Sequence, residues 1–268
     1  MFRAIATDLD GTLLRSDSSV SDRTRNAVHA AEDSGLLFVV ATGRPPRWIA
    51  PIVEALGDRG LVVCANGASV YDPAAHEIVE ATELDPAVVE ELIDDLDGIL
   101  PKVVYGVEQQ FDYAIDEAVH GLGVDPEALW PGVRVGPIRS FLDRPVTKLI
   151  ARTPSPARPG LAAEVQEALG DRALVTHSTD ESFLEISRPD VHKAATVERL
   201  LERSGIFSGE VVSFGDMPND IELLRWSGLG VAVANAAPSV RDAADEVTAS
   251  NDDDGVAQVI ERILESGS

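Results

Sequence analysis

The chain has 268 residues, enough for one large α/β domain or for a core carrying a smaller inserted domain. Its 44% apolar and 25% charged residues are those of an ordinary globular protein, which excludes disorder over the whole length. A formal net charge of −24, from 46 acidic against 22 basic residues, gives a surface that repels nucleic acid and anionic membranes, so neither is an expected partner.

An apolar strand pattern over Phe2 to Asp8 opens the chain, so no signal peptide is expected before it. Ser21 is a helix N-cap after the apolar Val20, the helix runs from Asp22 to Ser34, and Gly35 stops it. The continuous apolar run Leu36 to Ala41 suits a central parallel strand buried on both faces. Pro45 or Pro46 opens a second helix with Trp48, Ile49, Ile52, Val53 and Leu56 as its apolar stripe, ended by Gly57. Leu61 to Ala65 is a third strand, followed by an Asn66-Gly67 turn. Strand, helix, strand, helix, strand is the signature of a doubly wound, Rossmann-like parallel sheet.

The middle of the chain is less regular. A helix is expected from Pro86 to Leu96 and another from Gly160 to Leu169. Short strands are expected at 102–105, 111–115, 147–151, 173–176 and 183–186, which together suggest an inserted α+β domain over 83–187. The parallel pattern then resumes with a helix from His192 to Ser204, a strand from Val211 to Asp216, a helix opened by Pro218, a strand from Leu229 to Val233 and a helix from Gly255 to Glu265. The expected organisation is a catalytic core of 1–82 with 188–268, interrupted by a cap of 83–187. No run approaches the ~18 apolar residues of a membrane span. The lone Cys64 cannot form an internal disulfide and reads as a buried, inert thiol. A cytoplasmic protein is therefore expected. Its five histidines show no metal-ligand spacing.

In open parallel sheets ligands bind outside the carboxyl ends of the strands. Those ends here carry Asp8-Leu9-Asp10-Gly11-Thr12, Thr42-Gly43-Arg44, Asn66-Gly67 and Gly215-Asp216-Met217-Pro218-Asn219-Asp220. Phosphoryl transfer through a carboxylate needs a nucleophile, a cation to offset repulsion from the phosphate, an acid for the leaving oxygen and donors for the phosphoryl oxygens. Asp8, at the end of the first strand, is the candidate nucleophile, and Asp10, two residues on, is the candidate acid and base. The Thr42 hydroxyl, the Gly43 amide, Lys193 and Asn219 are candidates for holding the phosphate. Lys193 is one of only three lysines, with Lys102 and Lys148, in a chain that otherwise uses arginine. Asp216 and Asp220 offer hard oxygen ligands to a metal.

Asp8-Leu9-Asp10-Gly11-Thr12, Thr42, Lys193 and Gly215-Asp216-Met217-Pro218-Asn219-Asp220, in this order and across nearly the whole chain, resemble the four motifs of the haloacid dehalogenase superfamily of phosphohydrolases. The insertion of roughly 105 residues after the third strand resembles the larger cap of its Cof-type branch, as do Asn66-Gly67-Ala68 and Asn235-Ala236 in their positions. The resemblance implies Mg²⁺ held by the carboxylates of Asp8 and Asp216 and the backbone carbonyl of Asp10. It also implies a cap that closes over the substrate and selects it. That branch often has Asn where Met217 stands, a departure that spares Asp216, Asn219 and Asp220.

The expected activity is thus Mg²⁺-dependent hydrolysis of small phosphorylated metabolites, sugar phosphates or similar. A phosphotransferase or mutase using the same nucleophile is an alternative. So is a non-catalytic phospho-regulated protein, against which Asp10 and the large insertion argue. Ser250, Asp252, Asp254, Gly255 and Glu261 match a calcium loop in spacing, but the helix pattern resumes too early, and a solvated acidic turn is the better reading. In the insertion, Tyr105, Gln109, Tyr113, Lys148, His177 and Ser178 are polar candidates for contact with a substrate.

Overall fold

The computed structural model describes residues 1–122, 125–154, 157–177 and 181–267. The chain divides into two compact units, one of Met1–Glu80 with His192–Ser268 and one of Ala81–Val191.

The first unit begins with β1 (Ala4–Thr7), α1 (Asp22–Asp33), β2 (Leu37–Ala41), α2 (Ala50–Leu56), β3 (Leu61–Cys64), β4 (Ser69–Asp72) and β5 (Glu77–Ala81). The Ser21 hydroxyl accepts from the Thr24 amide to cap α1, as Ser at this position ordinarily does. Pro46 opens only a single 3₁₀ turn, Pro46–Trp48, before α2 begins. Gly57 ends α2 in the left-handed conformation, where L-residues with a Cβ are disfavoured.

The second unit follows as α3 (Pro86–Ile99), β6 (Val104–Gln109), β7 (Asp112–Asp116), α4 (Pro126–Leu129), β8 (Arg134–Gly136), β9 (Lys148–Arg152), α5 (Leu161–Leu169), β10 (Leu174–His177) and β11 (Phe183–Ser187). Its six strands run β10-β11-β9-β6-β7-β8, with β7 and β8 parallel and the other neighbours antiparallel. Leu92 and Leu96 of α3 and Val165 and Leu169 of α5 share one apolar cluster with Val107, Leu149 and Leu184 of the sheet. This is an α+β layer with its own core.

The chain then continues through α6 (Lys193–Glu202), β12 (Val211–Gly215), α7 (Ile221–Trp226), β13 (Leu229–Ala232), α8 (Pro238–Arg241), β14 (Glu246–Val247) and α9 (Gly255–Gly267). The first unit's eight strands run β14-β13-β12-β1-β2-β3-β4-β5, and β14 through β3 are all parallel. Alternation along the strands separates two buried clusters. Ile5, Phe38 and Val40 pack with α1, α2 and α9, while Ala4, Ala6 and Val39 pack with α6 and α7. Both faces of the sheet are therefore covered, as a parallel sheet requires.

The sequence pattern missed β4, β5, β8 and β14. β4 runs antiparallel to β3 and makes the sheet mixed at that edge. β5 alternates exposed and half-buried residues and has only Ile78 and Val79 as large apolar side chains, so no apolar run announces it. The consequence for function is positional. β1 lies between β12 on one side and β2 on the other, which puts the reversal of strand order at the end of β1.

Candidate active site

β1 delivers Asp8 to this reversal point. The Asp8 amide donates to the Phe214 carbonyl at 3.0 Å, extending the ladder between β1 and β12 to the first acid. The chain then turns through Leu9–Leu13 and closes with the Leu14 amide on the Leu9 carbonyl at 2.9 Å. Leu9, Leu13 and Leu14 are buried and anchor the turn in the core below. Gly11 sits at φ +76°, and a Cβ there would lie 2.5 Å from Asp216 Oδ2, so both conformation and space require glycine.

Lys193 enters from the first residue of α6. A cation at a helix N-terminus faces the positive end of the helix dipole, so its placement there must be offset by anions. Two supply that offset. Its Nζ donates to Asp8 Oδ1 and, at 2.7 Å, to Asp220 Oδ1. The turn at 65–67 fixes where α6 begins. Ala65, Asn66 and Gly67 all have positive φ, a conformation costing about 1–3 kcal/mol for a residue with a Cβ. The turn is held by the Ala65 amide on the Arg44 carbonyl, the Asn66 amide on the Thr42 carbonyl and the Thr196 hydroxyl on the Gly67 carbonyl, each at 2.9 Å.

Asp220 is fully buried, and both its oxygens are engaged. Oδ1 takes Lys193, and Oδ2 takes the amides of Asp216 and Met217 at 3.1 and 3.0 Å. Asp216 accepts from the Thr12 hydroxyl at 2.9 Å. Asp8, Asp216 and Asp220 present carboxylate oxygens all within 4.8 Å of one another, and they form the one such cluster of potential metal ligands among the described residues.

Three buried carboxylates around one ammonium leave two negative charges uncompensated. The titration behaviour follows. Burial pushes the Asp8 carboxyl well above its ordinary range, against the pull of Lys193 and with Asp220 and Asp216 adding to the rise. Burial, with Asp220 adding, pushes Asp216 up to about 6, though Thr12 and Lys193 oppose it. Burial works against the charge on Lys193, but the carboxylates of Asp220 and Asp8 outweigh it and hold the ammonium firmly charged. The donors are hard oxygens, and the charge deficit is that of one dication, so the cluster could hold a divalent metal.

Asp10 lies apart from this buried group. Its carboxylate is half exposed and gripped at both oxygens by Arg44, Nε to Oδ2 at 2.8 Å and Nη2 to Oδ1 at 2.5 Å. Thr42 is buried at the end of β2, and its hydroxyl accepts the Arg44 amide at 3.1 Å. Gly43 packs against Asn66, where a Cβ would lie 3.2 Å from Oδ1. That same Oδ1 accepts from Asn219 at 3.2 Å, so Asn66 links the segments carrying Gly43 and Asn219.

In the second unit, four of the polar candidates have partners within that unit. Tyr105 donates to Asp97, Gln109 donates to the carbonyls of Phe141 and Arg144, Tyr113 meets Trp130 edge to face, and the buried Lys148 pairs with Glu185. His177 is exposed at the end of β10, and Ser178 lies outside the described residues.

Four contributors escaped the sequence reading as site residues: Thr12, Arg44, Asn66 and Asn235, whose amide donates to the Gly11 carbonyl at 2.7 Å. Each sits inside or beside a strand-end segment already of interest. What they touch depends on contacts that span 34 to 224 residues of chain, and no local pattern records those.

Known proteins resemble this chain along nearly its whole length. The profile of the haloacid dehalogenase-like hydrolases matches residues 5–260. A 5-amino-6-(5-phospho-D-ribitylamino)uracil phosphatase of Bacillus subtilis is 27% identical, over 96% of this chain and 95% of its own. A phosphoglycolate phosphatase of Methanothermobacter thermautotrophicus is 28% identical, over 98% and 99%. Among solved structures, a haloacid dehalogenase-like hydrolase from Bacteroides thetaiotaomicron superposes with a TM-score of 0.81 at 27% identity, covering 98% of this chain and all of that one. The chain belongs to the haloacid dehalogenase-like hydrolases, in their Cof-type branch, and is a phosphatase of that superfamily.

Proposed function

We propose that this phosphatase is Mg²⁺-dependent and hydrolyses small phosphorylated metabolites, sugar phosphates or similar, through a phosphoryl group carried on Asp8. The observation that carries the reading is the buried group of Asp8, Asp216 and Asp220 around Lys193, two charges short of neutrality. The carboxylates of Asp8 and Asp216 and the backbone carbonyl of Asp10 are the groups assigned to the metal. Asp220 belongs to the same acidic set, and its engaged oxygens give it the further task of orienting Lys193. Bound there, Mg²⁺ supplies positive charge to the carboxylates and to the phosphoryl oxygens.

The chain's own groups then divide the work. Asp8 attacks phosphorus as the carboxylate, and the bond to the leaving oxygen breaks. Asp10, protonated on an oxygen released from Arg44, gives that proton to the leaving oxygen, then as a carboxylate takes a proton from the water that attacks the phosphorus of the aspartyl phosphate. This second attack frees Asp8 and releases inorganic phosphate. Lys193 stabilises the anionic phosphoryl oxygens as a fixed ammonium, and Thr42, Gly43 and Asn219 are assigned to hold them. The small-metabolite class is supported by relatives whose own substrates are a phosphorylated ribitylaminouracil and phosphoglycolate. Selection among metabolites is assigned to the inserted unit.

Replacing Asp8 with Asn tests the reading. Turnover of a generic aryl phosphate should vanish while the circular dichroism spectrum and melting temperature hold. Substantial remaining turnover would sink the mechanism. A screen of phosphorylated metabolites with phosphate release as readout then tests the substrate class.

A further inference from the structure

The acidic stretch that mimics a calcium loop has its side chains committed elsewhere. Asp252 takes the Ser16 amide on Oδ1 at 2.9 Å and the Ser16 hydroxyl on Oδ2 at 2.7 Å. Asp254 is gripped by Arg15, whose Nη2 lies 2.8 and 3.0 Å from its two oxygens. Just before them, the buried Asn251 donates its amide to the Leu14 carbonyl at 2.9 Å. All three contacts fall on residues 14–16, the segment that leaves the loop bearing Asp8 and Asp10.

A second asparagine completes the grip. Asn235 donates Nδ2 to the Gly11 carbonyl at 2.7 Å and accepts the Asn251 backbone amide on Oδ1 at 3.0 Å. With a carbonyl on one side and an N–H on the other, the orientation of this amide group is fixed. The base beneath is firm. The Thr248 amide donates to the Ala232 carbonyl at 2.9 Å, which ties the stretch to β13, and the Gly255 amide donates to the Ser250 carbonyl at 3.0 Å, which ties it to α9.

The loop needs such support. Gly11, in the middle of it, has no side chain to pack and the widest backbone freedom of any residue. Asp10, just before it, has its side chain half in solvent. Leu9, Leu13 and Leu14 anchor the ends of the turn and Arg44 holds the Asp10 side chain; the backbone between them is further restrained through the carbonyls of Gly11 and Leu14, held by Asn235 and Asn251. Displacement of a reacting group by about 1 Å can cost on the order of 100-fold in rate.

We propose that residues 250–254 and Asn235 form a brace behind the nucleophile loop, with Asn235 and Asn251 as positioning residues that set where Asp8 and Asp10 stand. The proposal rests on the phosphatase reading of Asp8 and deepens it. Asp has the shape of Asn without the amide donor, so Asn235→Asp and Asn251→Asp break the grip on Gly11 and Leu14 and leave the backbone contact between the two segments available. Asn235 is exposed, so its variant folds even if the buried one does not.

The test has two arms, with Arg59→Ala as the control. That change removes exposed ion pairing to Asp33 and Glu32 on α1, and no hydrogen bond described for Arg59 reaches residues 9–16 or 250–254. In the first arm, hydrogen–deuterium exchange of residues 9–16 should speed up about 10-fold in both Asn variants and stay unchanged in the control. In the second arm, kcat on an aryl phosphate at saturating Mg²⁺ should fall about 10-fold or more in both, with KM within about twofold. Unchanged exchange overturns the brace, and faster exchange with normal kcat overturns its positioning role. Asp8→Asn run alongside separates the two questions. Turnover persisting there defeats the nucleophile reading, whereas the exchange arm needs no turnover and judges the brace alone.

Discussion

Arg44 holds Asp10 by both carboxylate oxygens, the two-pronged geometry that a planar guanidinium provides and an ammonium does not. The pair joins the ends of β1 and β2 and fixes the orientation of the residue assigned as acid and base. Because Asp10 is half exposed, the pair adds little to stability, about 0–1 kcal/mol. Arg44→Ala should therefore lower kcat on an aryl phosphate by about 10-fold while leaving the melting temperature nearly unmoved. Arg44→Lys should recover only part of the rate. Steady-state kinetics on both variants check this, and full activity in Arg44→Ala would remove orientation of Asp10 from the mechanism.

Lys193 pairs with Asp8 and Asp220, two of the three clustered buried carboxylates, so its loss exposes their mutual repulsion. Lys193→Met should cost about 3–5 kcal/mol in chelator at pH 8, as removing one partner of a buried pair does. The loss should be smaller at pH 5, where protonation substitutes for the missing charge. Urea unfolding at the two pH values measures both. Equal stability at pH 5 and pH 8 would contradict the electrostatic account.

Asp216 gives stability a pH dependence of known sign. Its folded carboxyl titrates near 6, above the ordinary 3.8. Between those values the folded state binds more protons than the unfolded chain, so the contribution of Asp216 to stability falls as pH rises from about 4 to about 6. Carboxyls held below their ordinary range, such as Asp252 beside the Ser16 amide and hydroxyl, act in the opposite sense and at lower pH. Subtracting the stability of Asp216→Asn from that of the wild type isolates the term. In chelator the difference should decline across that window, and saturating Mg²⁺ should abolish the decline. A flat difference in chelator would mean that burial does not raise this carboxyl.

Gly11→Ala combines a left-handed φ with a methyl 2.5 Å from Asp216 Oδ2. The backbone strain alone is about 1 kcal/mol, within the reserve of a folded domain. The clash falls on the acid assigned to the metal, so turnover should drop at least about 100-fold while the protein stays folded. Calorimetric titration with Mg²⁺ should show weakened binding. Normal binding and normal rate would mean the loop relaxes freely.

The parts of this protein that follow local rules were legible in its sequence. Leu36 to Ala41 announced a central strand because burial on both faces demands an unbroken apolar run. Ser21 and Gly57 announced helix ends through their own chemistry. β5 and β8 were hidden because edge strands carry mixed side chains and leave no period to detect. The acids and Lys193 could be named from their strand-end and helix-start positions. Their partners could not, since what Asn66, Arg44 and Asn235 touch is decided by segments far away in the chain. The same holds for the acidic stretch at 250–254, where the sequence shows the charges but not the residues 15 and 16 that they meet.

The central place of β1 also governs how the molecule is made. β1 pairs with β2 almost at once, but its other neighbour, β12, begins about 200 residues later. At about 5–20 residues per second, a ribosome needs on the order of 10–40 s to supply that strand. Throughout that interval one edge of β1 is open, and Asp8 has neither Lys193 nor Asp216 beside it. The 81–191 unit, by contrast, is contiguous in the chain and has a core of its own, so all of its residues are on hand to pack together before the second half of the unit around it is made.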